Sequence, residues 1–207
     1  MLSLSREQIQ ETVKRMTEYM WFENGDYNLN IVGVRNSQTN NQVTNKFDDK
    51  LTLSYKEKGV WKFHSFDCTT DPGTHWVENC LSPDGVAILK PGQYRGSHEI
   101  RKHQGRYEAL CQKKPLPVYR DNNRDQWYNL NENTVKTGIY GINIHRATKY
   151  AGKKSTQIDK WSAGCQVISS NDDWKLFMKI CRKARDKYGN SFTYTLLDSK
   201  KLLTSWL

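Results

Sequence analysis

The sequence predicts a single α+β domain over residues 1–207 that is mostly β, with a helix near each end of the chain. Three observations support this fold class. A chain of 207 residues is long enough for one well-filled core and short for two. Hydrophobic residues make up 36% of the chain and aromatic residues 12%, which favours a folded core over disorder. Short apolar runs bounded by turn residues occupy most of the sequence between the two helices.

The first half of the chain begins with a predicted amphipathic helix within residues 1–25. Ser5 and Gln8 form the pattern of a capping box, and apolar residues then recur at helical spacing through about Tyr19. Residues 24–26, Asn-Gly-Asp, are expected to end the helix. A polar loop is predicted over 36–49, and strands are predicted at 29–34, at 51–55 and 60–66 as a hairpin, and at 86–89.

The second half of the chain continues as strands and then adds a helix. Strands are predicted at 107–111, 118–119, 138–145 and 192–197, with a polar excursion over 121–134. Ser170 is placed to cap a helix whose apolar stripe includes Cys181, and Gly189 is placed to end it.

The chain carries a formal charge of +10, which favours an anionic partner. A nucleic acid, a membrane surface or an anionic cell wall would serve, and so would a merely solubilising surface. There is no apolar run of about 18 residues, so we predict no membrane span. The N-terminus lacks the apolar stretch of a signal peptide. We therefore expect synthesis in a cytoplasm, with release by another agent if the protein acts elsewhere.

The five cysteines form an odd, scattered set without a CxxC pair, which argues against a disulfide framework and favours buried thiols. A zinc site would draw on the following side chains: His64, Cys68, His75, Cys80, His98 and His103. Their spacing matches no compact zinc pattern, so we predict no metal and no cofactor. A zinc peptidase using these histidines is the enzyme alternative if Cys165 is inert.

The most informative segment places a histidine at a strand end and a cysteine in a small-residue turn. Alternation over 142–145 puts His145 on the face opposite two isoleucines. Residues 162–165, Ser-Ala-Gly-Cys, suit a tight turn with exposed backbone amides. A nearby histidine and cations activate a thiol, so the segment predicts a cysteine-dependent acyl-transfer enzyme. The cations expected to surround Cys165 are Arg146, Lys149, Lys153, Lys154 and Lys160.

This segment resembles the active-site motif of the L,D-transpeptidase catalytic-domain family, a histidine followed by Ser/Thr-x-Gly-Cys. The resemblance implies that Cys165 is a nucleophile forming a thioacyl-enzyme and that His145 is its general base. It also implies that the Gly164 and Cys165 amides hold the oxyanion, while Ser162 braces the turn. The implied fold is a β-sandwich-like domain, with the catalytic core over 50–200.

The chain departs from the family pattern around the cysteine. Ala163 stands where many members carry a second histidine. Gln166 and Val167 stand where many carry an apolar residue and then Arg or Asn. The missing Arg or Asn would recognise a substrate carboxylate, and Arg146 is the predicted replacement. Further substrate contacts are predicted at Tyr94, Arg95 and His75.

A thioacyl-enzyme is resolved either by water, which cleaves, or by an amine, which crosslinks. A basic chain without a signal peptide resembles phage lysis enzymes, so we predict a monomeric, endolysin-type peptidase acting on peptidoglycan stem or bridge peptides. An L,D-transpeptidase is the first alternative. A nucleic-acid-binding protein is the second, because basic and aromatic residues interleave over 101–124. No recognised nucleic-acid motif accompanies them, so no nucleic-acid partner is expected.

Overall fold

The computed structural model describes residues 3–16 and 20–202 of the chain. The helices within them are α1 (Arg6–Met16), α2 (Thr74–Glu78) and α3 (Asn171–Tyr188), with 3-10 turns at Ser37–Thr39, Glu132–Thr134 and Ser199–Lys201. The strands are β1 (Asn30–Arg35), β2 (Asp49–Glu57), β3 (Val60–Thr69), β4 (Val86–Leu89), β5 (Gly92–His103), β6 (Tyr107–Gln112), β7 (Leu116–Asp121), β8 (Lys136–Gly138), β9 (Ile144–Arg146), β10 (Gln166–Ile168) and β11 (Phe192–Asp198). Strands make up 39% and helices 22%, which confirms the α+β, mostly β class.

The main sheet is a closed barrel of eight strands in the order β1-β11-β5-β6-β9-β10-β3-β2. The resemblance implied a sandwich instead. Closure depends on two parallel pairings, β1 with β11 and β9 with β10, and on a short contact between Leu110 of β6 and Ile144 of β9. An alternation of apolar and polar residues along a strand is compatible with a sandwich and with a barrel, because both folds bury one face of each strand. The strands β4, β7 and β8 form a separate three-stranded sheet.

Helix α1 begins as predicted, and the chain is already non-helical before residues 24–26, where the helix was expected to end. The Gln8 backbone N–H donates to Ser5 Oγ at 3.1 Å, so the cap is present. Residues 17–19 of the predicted helix lie outside the described residues, and from residue 20 to 25 the chain is not helical. The Trp21 backbone instead bonds the side-chain amide of Gln93, through its N–H at 2.8 Å and its carbonyl at 2.7 Å. These contacts with β5 satisfy backbone groups that a longer helix would have paired internally.

Most of the strands follow the sequence prediction. The hairpin of β2 and β3 turns at Lys58 and Gly59, whose φ angles of 52° and 77° match a type I′ turn. The strand β5 was not predicted, because Gly92–His103 carries two glycines and several charged residues. Its pairing with β11 and β6 on either side overrides that weak local propensity.

The predicted continuous strand over 138–145 is wrong. The chain leaves β8 in the small sheet and enters β9 in the barrel. Residues 139–143 between them are held by hydrogen bonds to the buried side chain of Gln112. Gln112 Oε1 accepts from the backbone N–H groups of Tyr140, at 3.1 Å, and Ile142, at 2.9 Å. Its Nε2 donates to the Gly138 carbonyl at 2.8 Å. One side-chain amide therefore replaces the strand ladder that the alternation predicted.

Helix α3 confirms the predicted cap and the predicted stripe. Ser170 Oγ accepts from the Asp173 backbone N–H at 3.3 Å. Phe177 and Cys181 are buried in the same apolar cluster as barrel residues such as Leu110. Across the described ranges 3–16 and 20–202, no helix combines the length and apolar character needed to cross a membrane.

Candidate active site

Cys165 and His145 border the same groove, which has a volume of about 800 Å³. The strands β9 and β10 are parallel neighbours with His145 opposite Val167, so the residues that enter them, Asn143 and Cys165, lie side by side. The Gln166 backbone N–H donates to the Asn143 carbonyl at 2.9 Å and joins the two segments at this point. The fold therefore brings the predicted pair to one surface feature.

Ser162 is buried beneath the cysteine turn and makes two hydrogen bonds within it. Its Oγ donates to the Cys165 carbonyl at 2.8 Å and accepts from the Gly164 N–H at 3.1 Å. The Gly164 N–H is thus committed to Ser162, although the resemblance assigned it to the oxyanion. Among residues 3–16 and 20–202, nothing accepts a hydrogen bond from the Cys165 N–H, which leaves this amide available to an oxyanion.

The turn also requires glycine at position 164. Gly164 has φ +132°, and a Cβ placed there would lie 2.1 Å from the Ala87 carbonyl oxygen on β4. Gln166 stabilises the turn through its side-chain amide. Its Nε2 donates to the Gly164 carbonyl at 3.3 Å, and its Oε1 accepts from Tyr194 Oη at 2.7 Å. A polar residue at 166 therefore has a structural role where the family pattern has an apolar one.

His145 is a neutral base with a defined tautomer. Its Nδ1 lies 2.9 Å from the Arg146 carbonyl oxygen, which can only accept, so Nδ1 carries the proton and Nε2 keeps its lone pair. Burial, together with the nearby His103 and Arg146, lowers the pKa of His145 to about 3. The imidazole is therefore uncharged at neutral pH, as a general base must be.

Cys165 rests as a neutral thiol. Its Sγ donates to the Gly141 carbonyl at 3.2 Å, and burial raises the pKa of the thiol to about 11, partly offset by the Asn143 backbone N–H. The expected lowering of the thiol pKa by cations does not occur, because the groups that act on this thiol are its burial, the Asn143 backbone N–H and the nearby Cys111. Arg146, Lys149 and Lys160 do border the groove. Across the described part of the chain, no hydrogen bond joins Cys165 Sγ to His145, so the two groups are separate in the resting site.

Alkylation of Cys165 by iodoacetamide is expected to accelerate about tenfold per pH unit from pH 7 to pH 10, because only the thiolate reacts and its pKa is about 11. Site-resolved mass spectrometry gives the rate at Cys165 separately from that at the partly exposed Cys80. A rate that levels off below pH 8 would instead show a thiolate–imidazolium pair and contradict the resting state described above.

The groove is cationic and partly aromatic. Four basic side chains border it, and no Asp or Glu does: Arg106, Arg146, Lys149 and Lys160. None of these four forms an ion pair with any described residue, whereas Lys154 is bonded to Asp67 outside the groove. The Arg146 guanidinium lies over the Tyr107 ring at 4.3 Å, which fixes its position beside His145. Unpaired cations around an open groove suit an anionic ligand.

The structure does not bring the other predicted substrate contacts to this groove. Tyr94 lies on β5 opposite Tyr194, and its hydroxyl donates to the Lys90 carbonyl. Arg95 lines a different pocket, where it lies 3.8 Å from Glu23. His75 packs edge-on against Trp76, and only the tryptophan borders the groove.

The residues considered for zinc are dispersed through the fold. In the described residues, no three His, Cys, Asp or Glu side chains are grouped so that they could hold a metal ion. His64 stacks between Tyr55 and Phe66. His98 is buried, with Nε2 2.8 Å from the Ile142 carbonyl.

His103, which the sequence suggested only as a zinc ligand, and Gln112 are site residues that the sequence did not assign to the groove. His103 borders the groove from β5, the strand that was not predicted. Gln112 positions the 139–143 segment, and with it the Gly141 carbonyl that accepts from the thiol. An isolated polar residue at the end of a predicted strand was the only available signal for Gln112.

The chain was compared with protein-family models, with curated proteins and with solved structures, and none of them matches it.

Proposed function

We propose that this chain is a cysteine-dependent peptidoglycan peptidase with an L,D-transpeptidase-like site, acting through a Cys165 thioacyl-enzyme with His145 as general base. One observation carries the proposal. The thiol and a neutral imidazole with a free Nε2 lone pair border one cationic groove. This combination supplies a nucleophile, a base and affinity for an anionic substrate.

The proposed reaction has two halves. When the substrate carbonyl enters, His145 Nε2 takes the thiol proton and Sγ attacks the carbonyl carbon, while the Cys165 N–H stabilises the oxyanion. The tetrahedral intermediate collapses, and the departing amine takes the proton from His145. Water then loses a proton to His145 and attacks the thioester, and the thiolate that leaves is reprotonated. In the resting site the thiol pKa of about 11 and the imidazole pKa of about 3 oppose this proton transfer, so in the proposed order it takes place only as the substrate arrives and Sγ attacks.

The substrate assignment is supported by charge. Peptidoglycan stem peptides carry free carboxylates, and the four groove cations lack ion-pair partners among the described residues. Arg146 is the carboxylate-binding residue we favour, because its guanidinium is fixed over Tyr107 beside the base. We infer an endolysin-type enzyme that acts on the cell wall. If an amine replaces water in the second half, the same site performs transpeptidation.

Purified peptidoglycan incubated with the protein is expected to release new stem-peptide or bridge-peptide fragments, identified by mass. The Cys165→Ala variant is expected to lose at least about 1,000-fold in rate, because no other group supplies the nucleophile. New crosslinks that depend on Cys165 would select the transpeptidase instead.

The matched control is Cys181→Ala, which removes a buried thiol on α3 away from the groove. It is expected to retain activity wherever it remains folded. Equal product release by the wild type and the Cys165→Ala variant would reject the thioacyl mechanism.

A further inference from the structure

His103 stacks on the proposed general base. The His103 and His145 rings lie 4.4 Å apart between centroids, with an interplanar angle of 21°. The two histidines come from different barrel strands, β5 and β9, and both border the groove. His103 is 8% exposed, so this polar ring is mostly buried in the wall of the groove.

Backbone groups determine which nitrogen of His103 carries the proton. The Gln112 backbone N–H can only donate, and it meets Asn143 Oδ1 at 2.8 Å, which orients the Asn143 amide. Asn143 Nδ2 must then donate to His103 Nδ1, 3.2 Å away. Burial, together with Arg106, lowers the pKa of His103, so the ring is neutral and its proton lies on Nε2.

The stacked rings therefore carry opposite hydrogen-bonding groups. His145 has a lone pair on Nε2, and His103 has an N–H there. Within residues 3–16 and 20–202, neither Nε2 atom has a hydrogen-bond partner. Some side-chain atoms of these residues lack a partner because they are buried from solvent, and neither Nε2 is one of them. Both atoms are thus accessible, and the groove is the opening that both rings border.

We propose that His103 is a substrate-binding residue whose Nε2–H donates to an oxygen of the substrate, a carbonyl or carboxylate adjoining the bond that Cys165 attacks. This assignment rests on the proposed function for the identity of the substrate. The His103 Nε2–H would hold the peptide in register beside His145 while the Nε2 lone pair of His145 takes the thiol proton. It would add directional recognition to the cations of the groove.

The protein alone provides the first test. Long-range proton–nitrogen NMR of the imidazoles at pH 7 is expected to show His103 protonated at Nε2 and His145 protonated at Nδ1. A His103 ring protonated at Nδ1 would overturn the assignment. This measurement needs no turnover. If both tautomers are as expected but the protein leaves peptidoglycan intact, the proposed substrate is rejected and the assignment of His103 Nε2–H as a hydrogen-bond donor stands.

Two variants separate donation from packing. His103→Phe keeps a ring against His145 and removes the donor, and KM for peptidoglycan fragments is expected to rise about tenfold with kcat within about twofold. Asn143→Asp accepts from the Gln112 N–H and places a carboxylate at His103 Nδ1, which moves the proton off Nε2 of a neutral ring. The same NMR measurement is used to exclude an imidazolium, in which both nitrogens would carry protons. The Asn143→Asp variant is expected to raise KM to a similar extent and to have no further effect in the His103→Phe background.

His64→Phe is the matched control, because it replaces another stacked histidine, between Tyr55 and Phe66 on the barrel. It is expected to leave both kinetic constants unchanged. If His103→Phe lowered kcat with KM unchanged, His103 would act only through His145, and the proposed contact with the substrate would be refuted.

Discussion

A Gly164→Ala variant is expected to lose about 4 kcal/mol of folding free energy and to lose the cysteine turn with it. The added Cβ would lie 2.1 Å from the Ala87 carbonyl oxygen and 3.4 Å from Ile142 Cδ1. Ala87 lies within β4, paired with Arg120 of β7, so its carbonyl cannot rotate away as a side chain would. The φ of +132° adds backbone strain for any residue with a Cβ.

Urea or thermal unfolding measures this loss, which corresponds to a fall in melting temperature of about 10 °C for a chain of this size. Gly59→Ala is the matched control, since Gly59 has φ +77° but nothing within 4 Å of the added Cβ. The control is expected to cost about 1 kcal/mol, from backbone conformation alone. Equal losses in the two variants would mean that Ala87 does not constrain the turn.

Gln112→Leu is expected to destabilise the protein by about 3 kcal/mol, because it leaves several buried backbone groups without partners. The side chain is 1% exposed. It bonds the backbone N–H groups of Tyr140 and Ile142 and the carbonyls of Lys114 and Gly138. Leucine fills a similar volume and satisfies none of these groups. Chemical denaturation gives the free energy of unfolding.

The same variant is expected to disturb the thiol, because the 139–143 segment carries the Gly141 carbonyl that accepts from Cys165. Iodoacetamide alkylation at Cys165 should change in rate. Gln112→Glu offers a second comparison, since its new oxygen would face two carbonyl oxygens that now receive N–H donors. Gln126→Leu, at an exposed position, serves as the control and is expected to stay within about 0.5 kcal/mol of the wild type. Equal stability of Gln112→Leu and Gln126→Leu would contradict the role given to this amide.

Local signals predicted the elements whose stabilising contacts are themselves local. The β2–β3 hairpin follows from two strand-like runs on either side of a short turn that ends in Gly59, and α3 follows from its Ser170 cap and its apolar stripe. The strand β5 and the break at 139–143 depend on partners far along the chain, so alternation alone missed the first and wrongly joined the second.

The candidate site divides in the same way. Cys165, His145, Ser162 and Gly164 were found by motif spacing, because adjacent segments of chain form the turn. His103 was not, since it reaches His145 only through the pairing of β5 with β6 and of β6 with β9. Tyr94 and Arg95 were placed in the site by their position after a turn, and the register of β5 against β11 directs them elsewhere.

The sequence by itself determined the α+β class, most strand positions and the cap of the last helix, because each depends on neighbours a few residues away. Motif spacing also singled out His145 and the cysteine turn, which the parallel strands β9 and β10 bring to one groove. Tertiary structure alone decided the closed barrel, the tautomers of the two stacked histidines and the protonation of the thiol. Closure and tautomers depend on backbone groups from other strands. The thiol pKa depends on burial, which raises it more than the Asn143 backbone N–H lowers it.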